Sequence, residues 1–96
     1  MIVRLDLPRG LQAAQIVHAA GESAHGVTDT THAVVLTVPH EQALEAVHKR
    51  LVSAGIPHAA IREPDAPWCG QLMALGIEPA RKEVVRRVTS SLPLLR

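Results

Sequence analysis

The sequence has almost no aromatic residues: Trp68 is the single one, and Phe and Tyr are absent. Hydrophobic residues nevertheless make up 47% of the 96 residues. The core must therefore be built from Val, Leu, Ile and Ala. This composition is typical of a folded globular chain and not of a disordered one.

Cysteine is equally scarce, because Cys69 is the only one and it has no partner for an internal disulfide. Nothing in the cysteine content therefore indicates an oxidising compartment. The sequence also lacks a charged-then-apolar leader and any apolar run near membrane-spanning length. We therefore expect a cytoplasmic protein with no membrane partner.

The sequence also has no large excess of either charge, since ten Lys and Arg residues are balanced by nine Asp and Glu residues. The net charge of +1 excludes a histone-like tail and gives no bulk attraction to nucleic acid. The cations do concentrate after position 80, where a solvated helix face and a local RNA surface are both open interpretations. The six histidines lack metal-ligand spacing, so we expect no bound metal.

Apolar periodicity and Gly/Pro punctuation predict seven elements in the order βαβαββα. The strands are predicted at 2–7, 30–38, 58–61 and 71–77, and the helices at 11–25, 41–54 and 80–91. Helices between strands favour parallel pairing, whereas the stretch REPDAPWCG is too short for a helical crossover, so the last strand should be antiparallel. We predict one α/β domain over residues 1–96, a three-layer α/β/α sandwich with a four-stranded mixed sheet. A core this small also favours self-association.

The first predicted helix, with the sequence LQAAQIVHAA, is rich in small residues. Winding residues 11–22 at 100° per residue separates two sides. One side is small and apolar, and we expect it to pack on the sheet: Ala13, Ala14, Ile16, Val17, Ala20 and Gly21. The other side brings Gln15, His18 and Glu22 within reach of one another. A histidine at such an edge is either a structural residue or part of a site.

The stretch GLQAAQIVHAA resembles the first-helix signature of the type II peptidyl-tRNA hydrolases: Ala-Ala-Gln, two variable residues, then His-Ala. The segments VRLDL, LGIEPA and VTSSLPLL, and the long run VLTVPHEQALEAVHKRLVSAGIPHAAIRE, are similar to other segments of that family in the same order. The resemblance implies the same sandwich fold. It also implies cytosolic hydrolysis of the ester between a peptide and the tRNA 3′ end, without metal or organic cofactor, by a homodimer.

The sequence departs from the family pattern at positions that carry chemistry. The family lysine before its Ala-Ala-Gln run aligns with Leu11, and the only two lysines are Lys49 and Lys82. Arg9 is the nearest cation, and it can hold a phosphate or polarise an oxyanion but cannot act as a base. The family aspartate aligns with Glu63, and the Gly-x-Thr that follows it is replaced by a shorter loop, EPDAPWCG. The chain thus resembles a short bacterial branch of the family.

Position on the sheet predicts where the site lies, because ligands of open α/β sheets bind beyond the carboxyl ends of the parallel strands. We expect Arg9 and Arg62 to bind substrate there. Trp68 either stacks on a base or covers the loop or a dimer contact. The predicted catalytic residues are Glu63, Asp65 or His18 as the base for water, and Gln15 to orient the water or the carbonyl. Alternatively, Arg62 and Glu63 are ordinary surface charges at a strand end.

Two functional hypotheses follow from different classes. The first is a hydrolase of peptidyl-tRNA or another aminoacyl ester. The second is a catalytically impaired relative, a small dimeric module that binds tRNA or a protein. Loss of the lysine and of Gly-x-Thr favours the second, whereas retention of Gln15, His18, Arg62 and an acid at position 63 favours the first.

Overall fold

The computed structural model describes all 96 residues and contains seven elements in the predicted order. The bounds are β1 Ile2–Arg4, α1 Arg9–Glu22, β2 Leu36–Val38, α2 Glu41–Ser53, β3 His58–Glu63, β4 Gln71–Ile77 and α3 Lys82–Thr89. None of the three helices combines the length and the apolar character needed to cross a bilayer.

The four strands form one mixed sheet in the order β2-β1-β4-β3. β1 pairs with β2 in parallel, and β4 pairs antiparallel with both β1 and β3. β1, β2 and β3 therefore run in one direction and β4 runs against them, which confirms the predicted topology. As a result, β1, β2 and β3 end at the same edge of the sheet, where β4 begins.

The helices cover both faces of the sheet, with α1 on one face and α2 and α3 on the other. The core on the α2 face is the larger, and fully buried Ile2, Leu44, Leu51, Leu72 and Leu75 belong to it. Each such side chain contributes about 1.5–3 kcal/mol when it is removed from water. The core on the α1 face is smaller and consists of Val3, Ala19, Ile61 and Ala74. The predicted three-layer sandwich with an aliphatic core is thus confirmed.

The predicted packing side of α1 is wrong. Ala13, Ala14, Val17 and Gly21 are exposed, and Val17 is 70% exposed. The helix instead buries Gln15 and Ala19 against the sheet, with Ser23 following the helix on the same side.

This rotation of α1 is explained by Gly76 in β4, which lets the helix backbone come close to the sheet. A Cβ placed on Gly76 would overlap the carbonyl group of Ala19 and would lie 2.7 Å from the Ser23 hydroxyl oxygen. The Ser23 hydroxyl in turn donates to the Ala19 carbonyl at 2.7 Å. The closest contact of the helix is therefore at Ala19 and not on the side that carries most small residues.

β2 is shorter than predicted, because residues 30–35 do not join the sheet. A local turn holds the first of these residues: the Thr28 amide donates to the Thr31 hydroxyl at 2.9 Å, and the Thr31 amide donates to the Thr28 carbonyl at 3.1 Å. Such side-chain bonds compete with a strand ladder. The outer side of β2 is covered by the chain terminus, where the Thr37 amide donates to the Pro93 carbonyl at 2.8 Å.

β1 also ends early, at Arg4 instead of Leu7. The side-chain amide of Gln12 donates to the carbonyl oxygens of Leu5 at 3.2 Å and Leu7 at 2.8 Å. These bonds bend residues 5–7 into a turn that leads directly into α1.

A pair of histidines joins α2 to β3. His48 Nδ1 and His58 Nε2 are 2.8 Å apart, and His58 Nδ1 lies 2.7 Å from the Ile56 carbonyl oxygen. Because a carbonyl can only accept, His58 Nδ1 carries a proton, and Nε2 of the neutral ring accepts from His48. Burial, together with the charge that His58 can carry and that of nearby Arg62, holds the pKa of His48 below its ordinary value, although Glu45 opposes this.

Replacing Gly76 with Ala should destabilise the fold by about 1–3 kcal/mol, because the added methyl group must displace the α1 backbone. Gly21→Ala is the matched control, since Gly21 lies on the exposed side of α1 with no atom within 4 Å of its Cβ position. This control should stabilise the protein by about 0.5–1 kcal/mol. Urea unfolding of the two variants checks both signs, and equal effects would contradict the packing of α1 described above.

The lowered pKa of His48 predicts that stability falls as the pH decreases below about 6.5, the ordinary value. The unfolded chain then takes up a proton that the folded chain does not yet bind, so the free energy of unfolding decreases. His48→Gln should flatten this dependence between pH 7.5 and pH 5 in urea unfolding. The exposed His32→Gln should keep the wild-type slope; a His48→Gln curve parallel to wild type would refute the assignment.

Candidate functional site

The carboxyl edge of the sheet is organised around a buried arginine at the end of β1. Arg4 is only 4% exposed. Its Nε and Nη2 atoms donate to the two carboxylate oxygens of Asp6, both at 2.8 Å. Its Nη1 atom donates to Gln71 Oε1 at 2.9 Å and to the Leu72 carbonyl at 3.1 Å. A buried guanidinium must have its donors paired, and the bidentate carboxylate is the strongest such partner.

Arg4 and Asp6 each shift the pKa of the other. The hydrogen bond from Arg4 holds the pKa of Asp6 below its ordinary value, although partial burial opposes the shift. Asp6 in turn raises the pKa of Arg4, with a smaller contribution from Glu41. Both groups therefore stay charged at neutral pH, and the pair joins the turn after β1 to the start of β4.

Trp68 lies over the same arginine, in the loop between β3 and β4. The guanidinium carbon of Arg4 is 5.7 Å from the centre of the Trp68 ring, which is within cation–π range. The loop closes on itself, because the Trp68 and Cys69 amides both donate to the Asp65 carbonyl, at 3.0 and 3.1 Å. The Gly70 amide donates to the Glu63 carbonyl at 2.7 Å. The loop that replaces the family pattern is thus fixed at both ends.

Gln15 and Glu63 meet on the α1 face of this edge. Gln15 is 5% exposed, and its Nε2 atom lies 3.5 Å from Glu63 Oε2. The other carboxylate oxygen of Glu63 accepts from the Asp65 amide at 3.2 Å. The carbonyl oxygen of the Gln15 side chain is buried and has no hydrogen-bond partner. An unsatisfied buried acceptor costs about 1–3 kcal/mol and calls for an explanation.

Arg62 lies on the opposite face of the sheet from Glu63, because successive side chains of a strand alternate. Its guanidinium forms a two-point ion pair with Glu45 of α2, at 3.1 and 3.2 Å, and donates to the Gly70 carbonyl at 3.3 Å. The structure therefore does not bring Arg62 beside Glu63 and Asp65 in one cleft.

The remaining predicted site residues, Arg9, His18 and Asp65, are exposed. Arg9 begins α1 at the carboxyl edge and makes no hydrogen bond or ion pair with a side chain. His18 lies on the outer side of α1, with no hydrogen bond to Gln15 or Glu63. Leu11, at the family lysine position, is half-buried, and Asp65 presents its carboxylate to solvent.

Two further observations concern the rest of the molecule. A cavity of about 510 Å³ lies on the α2 face, lined by Leu5, Pro39, Ala46, Leu92 and others, and Arg50 is its only charged residue. It therefore holds no group that can act as a base. No cluster of three or more His, Cys, Asp or Glu side chains is arranged to hold a metal ion.

Three residues of this edge were not predicted from the sequence: Arg4, Asp6 and Gln71. The available signal was the Arg-x-Asp spacing in VRLDL, which places two opposite charges at alternate positions of a predicted strand. From the sequence we interpreted VRLDL as part of the first predicted strand and as a segment similar to the family, without pairing Arg4 with Asp6. Gln71 carries no local signal, because its partner Arg4 is 67 positions away.

Replacing Asp6 with Asn should lower the free energy of unfolding by about 1–3 kcal/mol, because the buried guanidinium loses its charged acceptor. Trp68 fluorescence should shift to the red as the loop loses its support. The exposed Asp29→Asn is the control with the same charge change. In the wild-type protein the stabilisation by the Arg4–Asp6 pair is fully present above about pH 3.8, the ordinary pKa of an aspartate. It is lost as the pH falls through the lowered pKa of Asp6. An Asp6→Asn variant that is as stable as the wild-type protein at pH 7 would contradict the role given to this pair.

Comparison with known proteins finds similarity over nearly the whole chain. The family model of the peptidyl-tRNA hydrolase PTH2 matches residues 1–95. A peptidyl-tRNA hydrolase from Methanopyrus kandleri is 34% identical over 105 aligned positions, covering 96% of this chain and 90% of the relative. A solved protein of unknown function from Agrobacterium tumefaciens strain C58 shares the fold at a TM-score of 0.62 and 17% identity, covering 99% of this chain and 94% of that one. The chain therefore belongs to the PTH2 family of peptidyl-tRNA hydrolases.

Proposed function

We propose that this protein hydrolyses the ester that links a peptide or aminoacyl group to the 3′ end of tRNA. Family membership supports the reaction, and one observation supports its location. The buried side-chain carbonyl oxygen of Gln15 has no protein partner, and the amide nitrogen of the same side chain lies 3.5 Å from the Glu63 carboxylate at the ligand-binding edge of the sheet. A buried acceptor without a protein partner, on a side chain that contacts a carboxylate, fits a site that receives a hydrogen-bond donor.

The chemistry requires a base for water and a donor for the developing oxyanion. Glu63 is the best-placed base, because its Oε2 atom is within reach of Gln15. A water held between them donates one hydrogen to Gln15 Oε1 and the other to the carboxylate. As the water attacks the ester carbonyl, its proton passes to Glu63, which then returns it to the departing ribose oxygen. Asp65 and His18 are the other titratable groups proposed for this role.

Substrate binding needs cations for phosphate, and Arg9 is the free guanidinium at this edge. Arg62 is already paired with Glu45, so we expect it to contribute less than Arg9. Neither lysine helps, since Lys49 is in α2 and Lys82 is in α3. Binding of tRNA should therefore weaken as salt increases. We further propose that the protein works in the cytoplasm as a homodimer.

The second candidate is a catalytically impaired relative that binds tRNA or a protein without hydrolysis. Leu11 favours it, because this half-buried aliphatic side chain occupies the position of the family lysine. In this case the carboxyl edge binds the 3′ end but leaves the ester intact.

The direct test removes both carboxylates of the edge in one variant, Glu63→Gln with Asp65→Asn. Release of free tRNA from a peptidyl-tRNA analogue should fall by at least about 100-fold, because general base catalysis is lost. Binding of the analogue should remain near wild type. Glu83→Gln with Asp29→Asn is the control with the same change in charge, and both of these residues are exposed and outside the edge.

The outcomes separate the alternatives. Full activity in the carboxylate variant leaves His18 as the base, and full activity after adding His18→Ala refutes this site. Arg9→Ala should raise KM more than it lowers kcat, since it removes binding and not the base. Wild-type protein that binds the analogue but releases no tRNA supports the impaired relative instead.

A further inference from the structure

The single aromatic side chain of the protein stands at the candidate site. Trp68 is only partly buried although its ring lies over Arg4. Aromatic rings normally contribute to the core, and this core contains none. The one indole is instead held in a loop at the carboxyl edge, where it covers a charged group.

The support beneath the ring is rigid. Arg4 is fixed by four hydrogen bonds to Asp6, Gln71 and Leu72, so the guanidinium cannot move away from the ring. The turn from Asp65 fixes the Trp68 backbone from the other side. A ring held in this way loses little further freedom when a second flat group stacks on it.

The ring and the Gln15–Glu63 pair belong to the same part of the molecule. Glu63 is paired with Gln71 across the β3–β4 ladder, and Gln71 binds the arginine beneath Trp68. Trp68 also shares a closed turn with Asp65, whose backbone amide donates to the carboxylate of Glu63, two residues earlier. Trp68 and Glu63 are therefore connected through Gln71 and through the turn from Asp65.

We propose that Trp68, supported by Arg4, is a stacking platform for an unpaired base at the 3′ end of an RNA ligand. The nature of this ligand rests on the proposed function. Base–aromatic stacking requires only a π face and tolerates any base, so one ring suffices without hydrogen-bonding partners. The platform holds the terminal nucleotide so that the ester on its ribose lies at Gln15 and Glu63.

The first experiment uses Trp68 as its own reporter, since no other residue fluoresces near 350 nm. Wild-type protein is titrated with adenosine monophosphate and, separately, with ribose 5-phosphate, which has the same phosphate but no base. The nucleotide should quench Trp68 in a saturable manner and the sugar phosphate should not. Equal responses, or no response to the nucleotide, would overturn the proposal. A spectrum that changes with protein concentration alone would also overturn it, in favour of a dimer contact at this ring.

The second experiment compares an RNA hairpin that has a single-stranded 3′ overhang with the same hairpin ending blunt. Wild type and Trp68→Phe should bind the overhang hairpin about tenfold more tightly than the blunt one, because each retains a ring. Trp68→Leu, which keeps an apolar side chain without a π face, should bind the two equally. An overhang preference in Trp68→Leu that matches wild type would refute the platform.

These outcomes are separable from those for hydrolysis. If the overhang preference depends on the ring but no tRNA is released, the platform stands and the hydrolase proposal fails. If Trp68→Leu hydrolyses the peptidyl-tRNA analogue with wild-type kcat/KM, the hydrolase proposal stands and the platform fails.

Discussion

The pairing of Arg4 with Asp6 is the constraint on which the carboxyl edge of this protein depends. A guanidinium that is only 4% exposed is tolerated because a carboxylate, a side-chain amide and a backbone carbonyl accept hydrogen bonds from it. These acceptors come from the turn after β1 and from the start of β4, so the pair joins segments that are distant in the sequence. Trp68 then uses the same cation as its support. The end of β1, the start of β4 and the Trp68 loop are therefore held together at this edge.

Alternation along β3 divides this edge into two sides with different roles. Glu63 faces α1 and reaches Gln15, whereas Arg62 faces α2 and is neutralised by Glu45. Because that ion pair is more than one-third exposed on the arginine side, it contributes little to stability, but it does occupy the arginine. The Glu63 carboxylate, on the α1 side, forms no ion pair; its contacts are the Gln15 side chain and the Asp65 backbone amide. This asymmetry is why we assign phosphate contact to Arg9 and water activation to Glu63.

The sequence was sufficient for the order of elements and the sheet topology, because Gly and Pro punctuate clear apolar periods. It was insufficient where a distant partner decides the local outcome. The buried side of α1 is set by Gly76, which lies in another element, and β2 is shortened by hydroxyl bonds around Thr28. The family resemblance brought attention to Gln15 and Glu63, whereas the arginine cluster was indicated only by the Arg-x-Asp spacing in VRLDL, which does not reveal its partner Gln71. Its partners are recruited through tertiary contacts that periodicity cannot reveal.

The central claim is that the substrate binds at the edge formed by Gln15, Glu63 and Trp68, and the most direct test is to locate a bound analogue. An adenosine whose 3′ position carries a peptide through an amide, which resists hydrolysis, can be titrated into isotope-labelled protein and followed by NMR. The account predicts saturable shifts of the Gln15 side-chain amide, the Glu63 and Gly70 backbone amides and the Trp68 indole. Shifts confined to the cavity beside Arg50 and Leu92, with these four signals unmoved, would contradict it.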